Sequence, residues 1–362
     1  MSRRHSTTLR VVSVATALLV GGLGIAGCGA ENKSLLPGPN QLEFPTTTTT
    51  DSTAPTTTTT SAPPSSSVPG SKPGNTPKAP PAPQPGGGGR CAGFPSSACT
   101  GVPAGTQFKV HNGDLFVTTP GTVLDGLHIT GSLQIRAPGV TVRNSQIDGA
   151  VLNYDDNKDI DGAYPFTIVD STIGTDTCKS TETAIGTGNF TAERVRIRGF
   201  GDAVRASAPN VVVRDSFLKM CTNDPSTHAD GIQDYPASGN VVFDHNTVDL
   251  CGGRVPTDGH CDLTFGYNSP VFLHSNTNGG TKGARITNNL IMGGVYSIFL
   301  WPQPGAPWIV TGNRVVNGTW TYGPAHTEGL CGQIDQWSDN TAVRIDANYK
   351  ITATVGPITC PN

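Results

Sequence analysis

The sequence predicts an all-β fold, a single-stranded right-handed parallel β-helix that follows a disordered N-terminal stalk. One observation is an eight-residue pattern that recurs at intervals close to one coil of such a helix. A second is the composition, since 45 glycines in 362 residues suit short strands and tight turns better than long helices. A third is an abrupt change near residue 90, where Thr, Pro, Ser and Gly give way to alternating apolar and polar residues. We therefore expect one folded domain over residues 91–362.

Residues 1–28 have the features of an export signal. Three arginines lie within the first ten residues, and an apolar run follows over residues 11–25. This run is short and glycine-rich for a transmembrane helix. It ends in the letters IAGC, which resemble a bacterial lipobox and imply cleavage before Cys28 and lipidation of its sulfur. We expect a protein that is anchored by lipid to the extracellular face of the bacterial membrane. An ordinary signal peptide without lipidation is the alternative, and both the general secretory and the twin-arginine export routes stay open.

Residues 29–90 are expected to form the stalk. They contain two runs of five threonines, at 46–50 and 56–60, and then Pro, Ser and Gly up to residue 89. No apolar periodicity is present, so the segment offers no face to a core. We predict a disordered linker that holds the folded domain away from the membrane.

The eight-residue pattern defines the coils of the folded domain. Its copies begin at Val140, Phe166, Phe190, Val211, Val241, Ala284, Trp308 and Val343. Positions one, three and eight are mostly apolar, which places them on the inner face of strands. Position six is Ser or Asn in all copies but one, which suits a polar turn between two strands and a ladder of stacked side chains. The pattern therefore predicts strand, turn and strand in each coil.

A second strand recurs between the copies, with Ile185, Val204, Ile232 and Ile298 as its core residues in successive coils. Insertions lengthen three coils, at about residues 219–240, 249–283 and 316–342, and insertions in repeat folds form loops on a working face. Residues 271–278 carry a further short apolar pattern that we assign to no coil. Because coils stack about 4.8 Å apart, polar residues beside the second strand are expected to form one site.

Nine cysteines are present, and eight of them follow Cys28. In a chain bound for an oxidising compartment, these eight predict four disulfides. Their spacing favours the pairs Cys91 with Cys99 and Cys251 with Cys261. The pairing among the other four stays open, and these are Cys178, Cys221, Cys331 and Cys360.

The candidate site residues flank the second strand. The candidate catalytic residues are His228, Asp230, Asp202 and Asp262. The candidate substrate-binding residues are Arg205, Lys219, Gln233, Asp234, Tyr235 and Trp301. Asp244 and His245 occupy turn positions of the repeat, and Trp308 occupies an inward position, so we expect these three residues to be structural.

The predicted fold and the run THADGIQDYP at residues 227–236 resemble the pectin-lyase-like superfamily, in particular the β-helix lipoproteins secreted by actinobacteria. The resemblance covers about residues 91–362. It implies action on a polysaccharide, in a groove along the outer face of parallel strands. Of the sequence motifs typical of polygalacturonases, only the first is matched, at Ala229 to Gly231. A motif typical of pectate lyases is partly matched near Phe243, but the arginine expected further along the chain is replaced by Gly259.

Elimination beside a uronate would need a base and positive charge on the uronate carboxylate. His228 is the candidate base, and Arg205 and Lys219 are candidates for the positive charge. A bound Ca²⁺ ion is the alternative source of that charge, because hard oxygen ligands suit this ion. Its candidate ligands are Asp230, Asp234 and Asp262.

Hydrolysis would instead need two carboxyl groups roughly 5–9.5 Å apart, for which Asp202, Asp230 and Asp262 are candidates on separate coils. We expect a polysaccharide-cleaving enzyme, with a lyase slightly favoured over a glycoside hydrolase. A non-catalytic glycan-binding or adhesive protein is the alternative. Since the net charge is −3 and 14% of residues are charged, the sequence offers no basic surface for nucleic acid. The expected partner is a polysaccharide or cell-wall glycan, bound by a monomer.

Overall fold

The computed structural model describes residues 91–154, 163–224, 226–234, 239–263, 266–274 and 281–362. Within these ranges the prediction of a parallel β-helix is confirmed: three parallel sheets, here called A, B and C, are visited in that order in each coil. The predicted export signal, Cys28 and the stalk lie outside the described residues. None of the described residues forms a helix long and apolar enough to cross a membrane.

The strands of each sheet stack along the axis of the β-helix. Sheet A consists of β1 (Lys109–His111), β4 (Leu127–Ile129), β7 (Gln146–Ile147), β10 (Thr172–Ile173), β13 (Arg196–Arg198), β16 (Phe217–Lys219), β19 (Thr247–Asp249), β22 (Leu290–Met292), β25 (Arg314–Val316), β28 (Thr341–Ile345) and β29 (Ile351–Pro357). Sheet B consists of β2 (Leu115–Val117), β5 (Leu133–Ile135), β8 (Val151–Leu152), β11 (Lys179–Thr187), β14 (Phe200–Ala206), β17 (Ala229–Asp234), β20 (Tyr267–Leu273), β23 (Tyr296–Leu300) and β26 (Gly323–His326). Sheet C consists of β3 (Val123–Asp125), β6 (Val140–Arg143), β9 (Phe166–Val169), β12 (Phe190–Glu193), β15 (Val211–Arg214), β18 (Gly239–Asp244), β21 (Lys282–Thr287), β24 (Gln303–Thr311) and β27 (Gln336–Ser338). A short 3-10 helix covers Cys331–Gln333.

Each copy of the eight-residue pattern forms a strand of sheet C, a turn and a strand of sheet A. Positions one, three and eight point into the core, as Val140, Val142 and Ile147 show with 1% exposure or less. Position five of the turn adopts a left-handed backbone, with φ near +50° at Asn144 and at His245. Asn and Asp tolerate this conformation better than most residues, which explains their frequency at this position.

Position six forms the predicted ladder, and its side chains are buried. The Asn289 side-chain oxygen accepts a hydrogen bond from the Asn246 backbone N–H at 2.9 Å, and that of Asn313 accepts one from the Asn289 N–H at 3.1 Å. The Asn289 amide also donates to the Phe243 carbonyl at 2.8 Å. The first two bonds satisfy backbone N–H groups that the turn removes from the sheets.

Two predictions about the repeats are wrong. The last copy does not begin at Val343, because the chain reverses after β28 into antiparallel β29, and Asn340 occupies the ladder while Asn348 lies exposed in the hairpin turn. The core residues of the second strand are not all in successive coils, because Val271 of β20 pairs between Ile232 and Ile298. The sequence did not predict this coil, because only thirteen residues separate its sheet B core residue from the next copy of the pattern in sheet C, which is too few for a complete coil.

Four disulfides link the described residues. Both local pairs expected from the spacing are present, Cys91–Cys99 and Cys251–Cys261. The other two are Cys178–Cys221 and Cys331–Cys360, with Cα atoms 5.5 and 5.9 Å apart. Cys178 and Cys221 lie in loops that lead from sheet A into sheet B, so their bond ties together two segments beside the outer face of sheet B.

Candidate functional site

The outer face of sheet B is flanked by two long loops. Residues 220–228 and 250–266 connect strands of sheet A to strands of sheet B, whereas sheets C and A are joined by the two-residue turn that carries the ladder. The predicted insertions therefore contain strands as well as loops, and the loops border sheet B. Active surfaces in repeat folds are found where such loops gather.

One outward-facing residue from each of the six strands β11, β14, β17, β20, β23 and β26 forms a continuous row on this face. Ile185, Val204, Ile232, Val271 and Ile298 are fully buried in the core, so the residues after them point outward. We call these residues the outer row, and the register of sheet B places them side by side: Gly186, Arg205, Gln233, Phe272, Phe299 and His326.

The polar half of the outer row contains Arg205 and Gln233, and we include in it Asp202, which contacts Arg205. The Arg205 guanidinium donates to the Asp202 carboxylate at 2.7 Å and to the Gln233 side-chain oxygen at 3.2 Å. Asp202 also accepts a bond from the Asp230 backbone N–H at 3.1 Å. Burial raises the pKa of Asp202, and Arg205 opposes the shift. Since 13% of the Asp202 side chain and 37% of the Arg205 side chain are exposed, both remain within reach of a ligand.

Asp230 lies in the next coil and is fully buried. Its carboxyl accepts bonds from the Ser269 backbone N–H at 2.9 Å and from the Asn268 side-chain amide at 3.1 Å. Burial, and then the neighbouring charge of Asp202, raise the pKa of Asp230 well above its usual range. A Cβ at Gly231 would clash with the Pro270 carbonyl oxygen, which explains the glycine. Asp230 thus joins β17 to β20 beneath the surface.

Asp234 ends β17 and is also buried, with 1% exposure. Its carboxylate accepts bonds from the His274 backbone N–H at 3.0 Å and from the Thr281 hydroxyl. Asp230 and Asp234 are four residues apart on one strand, which separates them by about 13 Å. They cannot share one Ca²⁺ ion, and among the described residues no group of three His, Cys, Asp or Glu is placed to hold a metal.

The remaining predicted residues are dispersed. His228 is exposed directly before β17, and Asp262 is exposed directly after the loop closed by Cys251–Cys261. Lys219 lies on sheet A, where it donates to the buried Asp249 carboxylate at 2.7 Å. The structure therefore does not bring Lys219 to the same face as Arg205. Tyr235 lies outside the described residues.

The outer row continues into an aromatic half, which the sequence predicted only through Trp301. We define it as Phe272, His274, Tyr296, Phe299, Trp301, Tyr322 and His326. Ring centroids are 5.4 Å apart for Phe272 and Phe299 and 5.1 Å for Phe299 and His326. The His274 ring lies 4.0 Å from Phe299 and 5.0 Å from Trp301.

Glu328 joins the two histidines of the aromatic half. One of its carboxylate oxygens contacts the Nε2 atom of His274 at 2.7 Å and that of His326 at 3.3 Å. Burial lowers the pKa of His274, although Glu328 opposes the shift. The Glu328 side chain is 35% exposed, so the carboxylate is partly open to solvent.

A signal for the aromatic half is present in the sequence. Residues 271–274 read VFLH and residues 298–301 read IFLW, so the two strands share an apolar, Phe, Leu, aromatic pattern. The pattern was overlooked because residues 271–278 were assigned to no coil. His326 and Glu328 lie in a stretch treated as an insertion, and only the register of β23 with β26 brings them to this face.

Comparisons of the chain with protein-family models, with curated proteins and with solved structures gave no match.

Proposed function

We propose that this chain is an extracellular, lipid-anchored protein of the pectin-lyase-like kind that binds a polysaccharide along the outer face of sheet B and cleaves it beside Asp202. The observation that carries the proposal is the outer row, in which a charged pair and a set of aromatic rings form one continuous surface between long loops. Aromatic rings stack on the apolar faces of sugars, while a few convergent polar groups orient the ligand. The sequence signal for export and the four disulfides support an extracellular location.

Elimination fits the polar half better than hydrolysis does. Hydrolysis needs two carboxyl groups that reach the glycosidic bond from two sides, and Asp230 is fully buried with its oxygens already bonded. Elimination needs one base and one cation beside the uronate. Asp202 or the exposed His228 can take the proton, and the Arg205 guanidinium can face the uronate carboxylate.

Binding without cleavage is the second candidate. One observation favours it: the Asp202 carboxylate already accepts hydrogen bonds from Arg205 and from the Asp230 backbone N–H, as expected of a carboxylate with a purely structural role. In that case the same outer row would hold a glycan as an adhesive surface.

The test combines binding and cleavage on a panel of neutral and uronic polysaccharides. We expect the full chain to bind one of them and to release products with the ultraviolet absorbance of unsaturated uronates. Asp202→Asn should keep binding and lower the rate by roughly 10²-fold or more, the usual contribution of an acid–base group. Asp339→Asn, which alters a 70% exposed carboxylate in the turn between sheets C and A, is the matched control. Reducing ends without that absorbance would indicate hydrolysis, binding without products would support the second candidate, and no binding to any glycan would overturn the proposal.

A further inference from the structure

The two halves of the outer row differ in charge and therefore in the sugar that each can hold. Resting on the proposed function, we infer that the aromatic half is a subsite for an uncharged pyranose residue, with Glu328 as acceptor for its hydroxyl groups, on the same face as a uronate subsite at Arg205. The ligand class is then a polysaccharide that contains both neutral and uronic acid residues. The inference is carried by three features of the described residues: the ring surface, the open carboxylate oxygen and the charge contrast.

The ring surface is broad and rests on the core. Phe272 and Phe299 stand on strands whose inward residues are fully buried, and Trp301 directly follows β23. Tyr296 stacks on His326 with ring centroids 4.7 Å apart and an interplanar angle of 20°. All these rings are partly exposed. The negative face of an aromatic ring attracts the slightly positive C–H groups of a pyranose, and the held geometry lowers the entropy cost of binding.

The carboxylate of Glu328 has one oxygen available. Both histidines contact Oε1, and no hydrogen bond from the described residues reaches Oε2. Contacts from His274 and His326 hold the carboxylate in place, and its exposed part lies beside the rings. A carboxylate oxygen held in this way accepts a sugar hydroxyl in a charge-assisted hydrogen bond.

The charge contrast separates the two halves. His274 and His326 are the titratable groups of the aromatic half apart from the phenols of Tyr296 and Tyr322, and the Glu328 carboxylate contacts both histidines. Burial lowers the pKa of His274 and so favours its neutral form. The Glu328 carboxylate therefore repels a uronate there, whereas Arg205 attracts one about 14 Å away, three strand spacings from Phe299.

The experiment measures dissociation constants of the full chain for three hexasaccharides: one neutral, one built of uronates and one in which the two alternate. We expect the alternating ligand to bind most tightly. Trp301→Ala and Tyr322→Ala should weaken binding of the neutral and alternating ligands roughly tenfold, the effect of losing about 1.4 kcal/mol. Phe108→Ala is the matched control, because this ring is 40% exposed and directly precedes β1 of sheet A, not sheet B.

Glu328→Gln distinguishes the proposed role of the Glu328 charge from a purely structural role, which predicts no change in the preference between neutral and uronic ligands. The amide keeps a hydrogen-bond acceptor and removes the charge, so affinity for the uronate hexasaccharide should rise, by about fivefold. If the chain binds polysaccharide but neither aromatic variant nor Glu328→Gln changes the preference between neutral and uronic ligands, the inference is wrong and the proposed function stands. If no hexasaccharide and no polysaccharide binds, both are wrong. Tyr322 is 72% exposed, so its variant remains informative if Trp301→Ala fails to fold.

Discussion

Asp202 and Asp230 show how one residue type takes different roles in adjacent coils. Asp230 is fully buried and Asp202 is mostly buried, and burial raises the pKa of each. Asp202 reaches the surface beside Arg205, where the carboxylate can accept a proton from a ligand. Asp230 lies beneath the surface and bonds to β20 through Ser269 and Asn268. Its contribution is therefore to stability and to the position of the neighbouring strand.

The raised pKa of Asp230 predicts a loss of stability as pH rises. Between the unfolded pKa, about 3.9, and the higher folded pKa, the folded state binds more protons than the unfolded state, so the free energy of unfolding falls with increasing pH. One proton gives a slope of about 1.4 kcal/mol per pH unit. Asp230→Asn should flatten this slope, because the neutral amide does not ionise. Urea unfolding from pH 4 to 8 measures it, and equal slopes for both proteins would contradict the prediction.

At the scale of elements, the turn between sheets C and A is specified by two adjacent residues. The first adopts the left-handed backbone, and the second, such as Asn289, points inward and bonds to the coils on both sides. These bonds bind the backbone of one coil to the side chain of the next. The ladder therefore keeps all coils in register at this corner, while the loops beside sheet B are free to vary in length.

The ladder predicts that substitutions at two adjacent residues lower the free energy of unfolding by very different amounts. Asn289→Ala leaves the Asn246 N–H without its side-chain acceptor and removes the amide bond to the Phe243 carbonyl in the core, which should cost about 3 kcal/mol of unfolding free energy. Asn288→Gly preserves the left-handed backbone at the adjacent exposed position and should cost less than about 1 kcal/mol. Chemical denaturation of both variants measures the difference, and equal losses would show that the ladder adds nothing beyond the turn.

On the scale of the whole folded region, residues 91–362, the two ends of the β-helix are closed differently. None of the described residues pairs with the outer edges of β1, β2 and β3, and Phe108, Val110, Phe116 and Val123 nearby are exposed. At the other end β29 pairs with β28, the Thr327 hydroxyl donates to the Pro361 carbonyl at 2.6 Å, and Cys331–Cys360 joins the last coil to the C-terminal segment. Because each coil of a repeat fold is stabilised by its neighbours, the first coil is the less stable end.

Hydrogen exchange should therefore proceed inward from the first coil. Backbone amides of β4 and β5 should exchange faster than those of β19 and β20, because local opening at an end breaks fewer coil-to-coil contacts. Amides of β25 and β28 should be protected until Cys331–Cys360 is reduced. Exchange followed by mass spectrometry on the oxidised and reduced chain measures both effects, and uniform protection along the axis would contradict this account.

The sequence by itself determined the fold class, the inward positions of the repeat, the polar ladder and the two local disulfides. All of these depend on short-range periodicity, which a single chain displays directly. The candidate residues Arg205, Gln233 and Asp202 were also found in this way, since they flank a recognisable core position.

Only the tertiary structure decided which side chains share one face. Asp230 and Asp234 were predicted to meet a ligand, but coil stacking buries them, and Lys219 falls on another sheet. Phe299, His326 and Glu328 meet because β23 pairs with β26, across loops whose lengths differ from coil to coil. Register between distant strands depends on contacts that form only when the chain has coiled, so no local pattern specifies it.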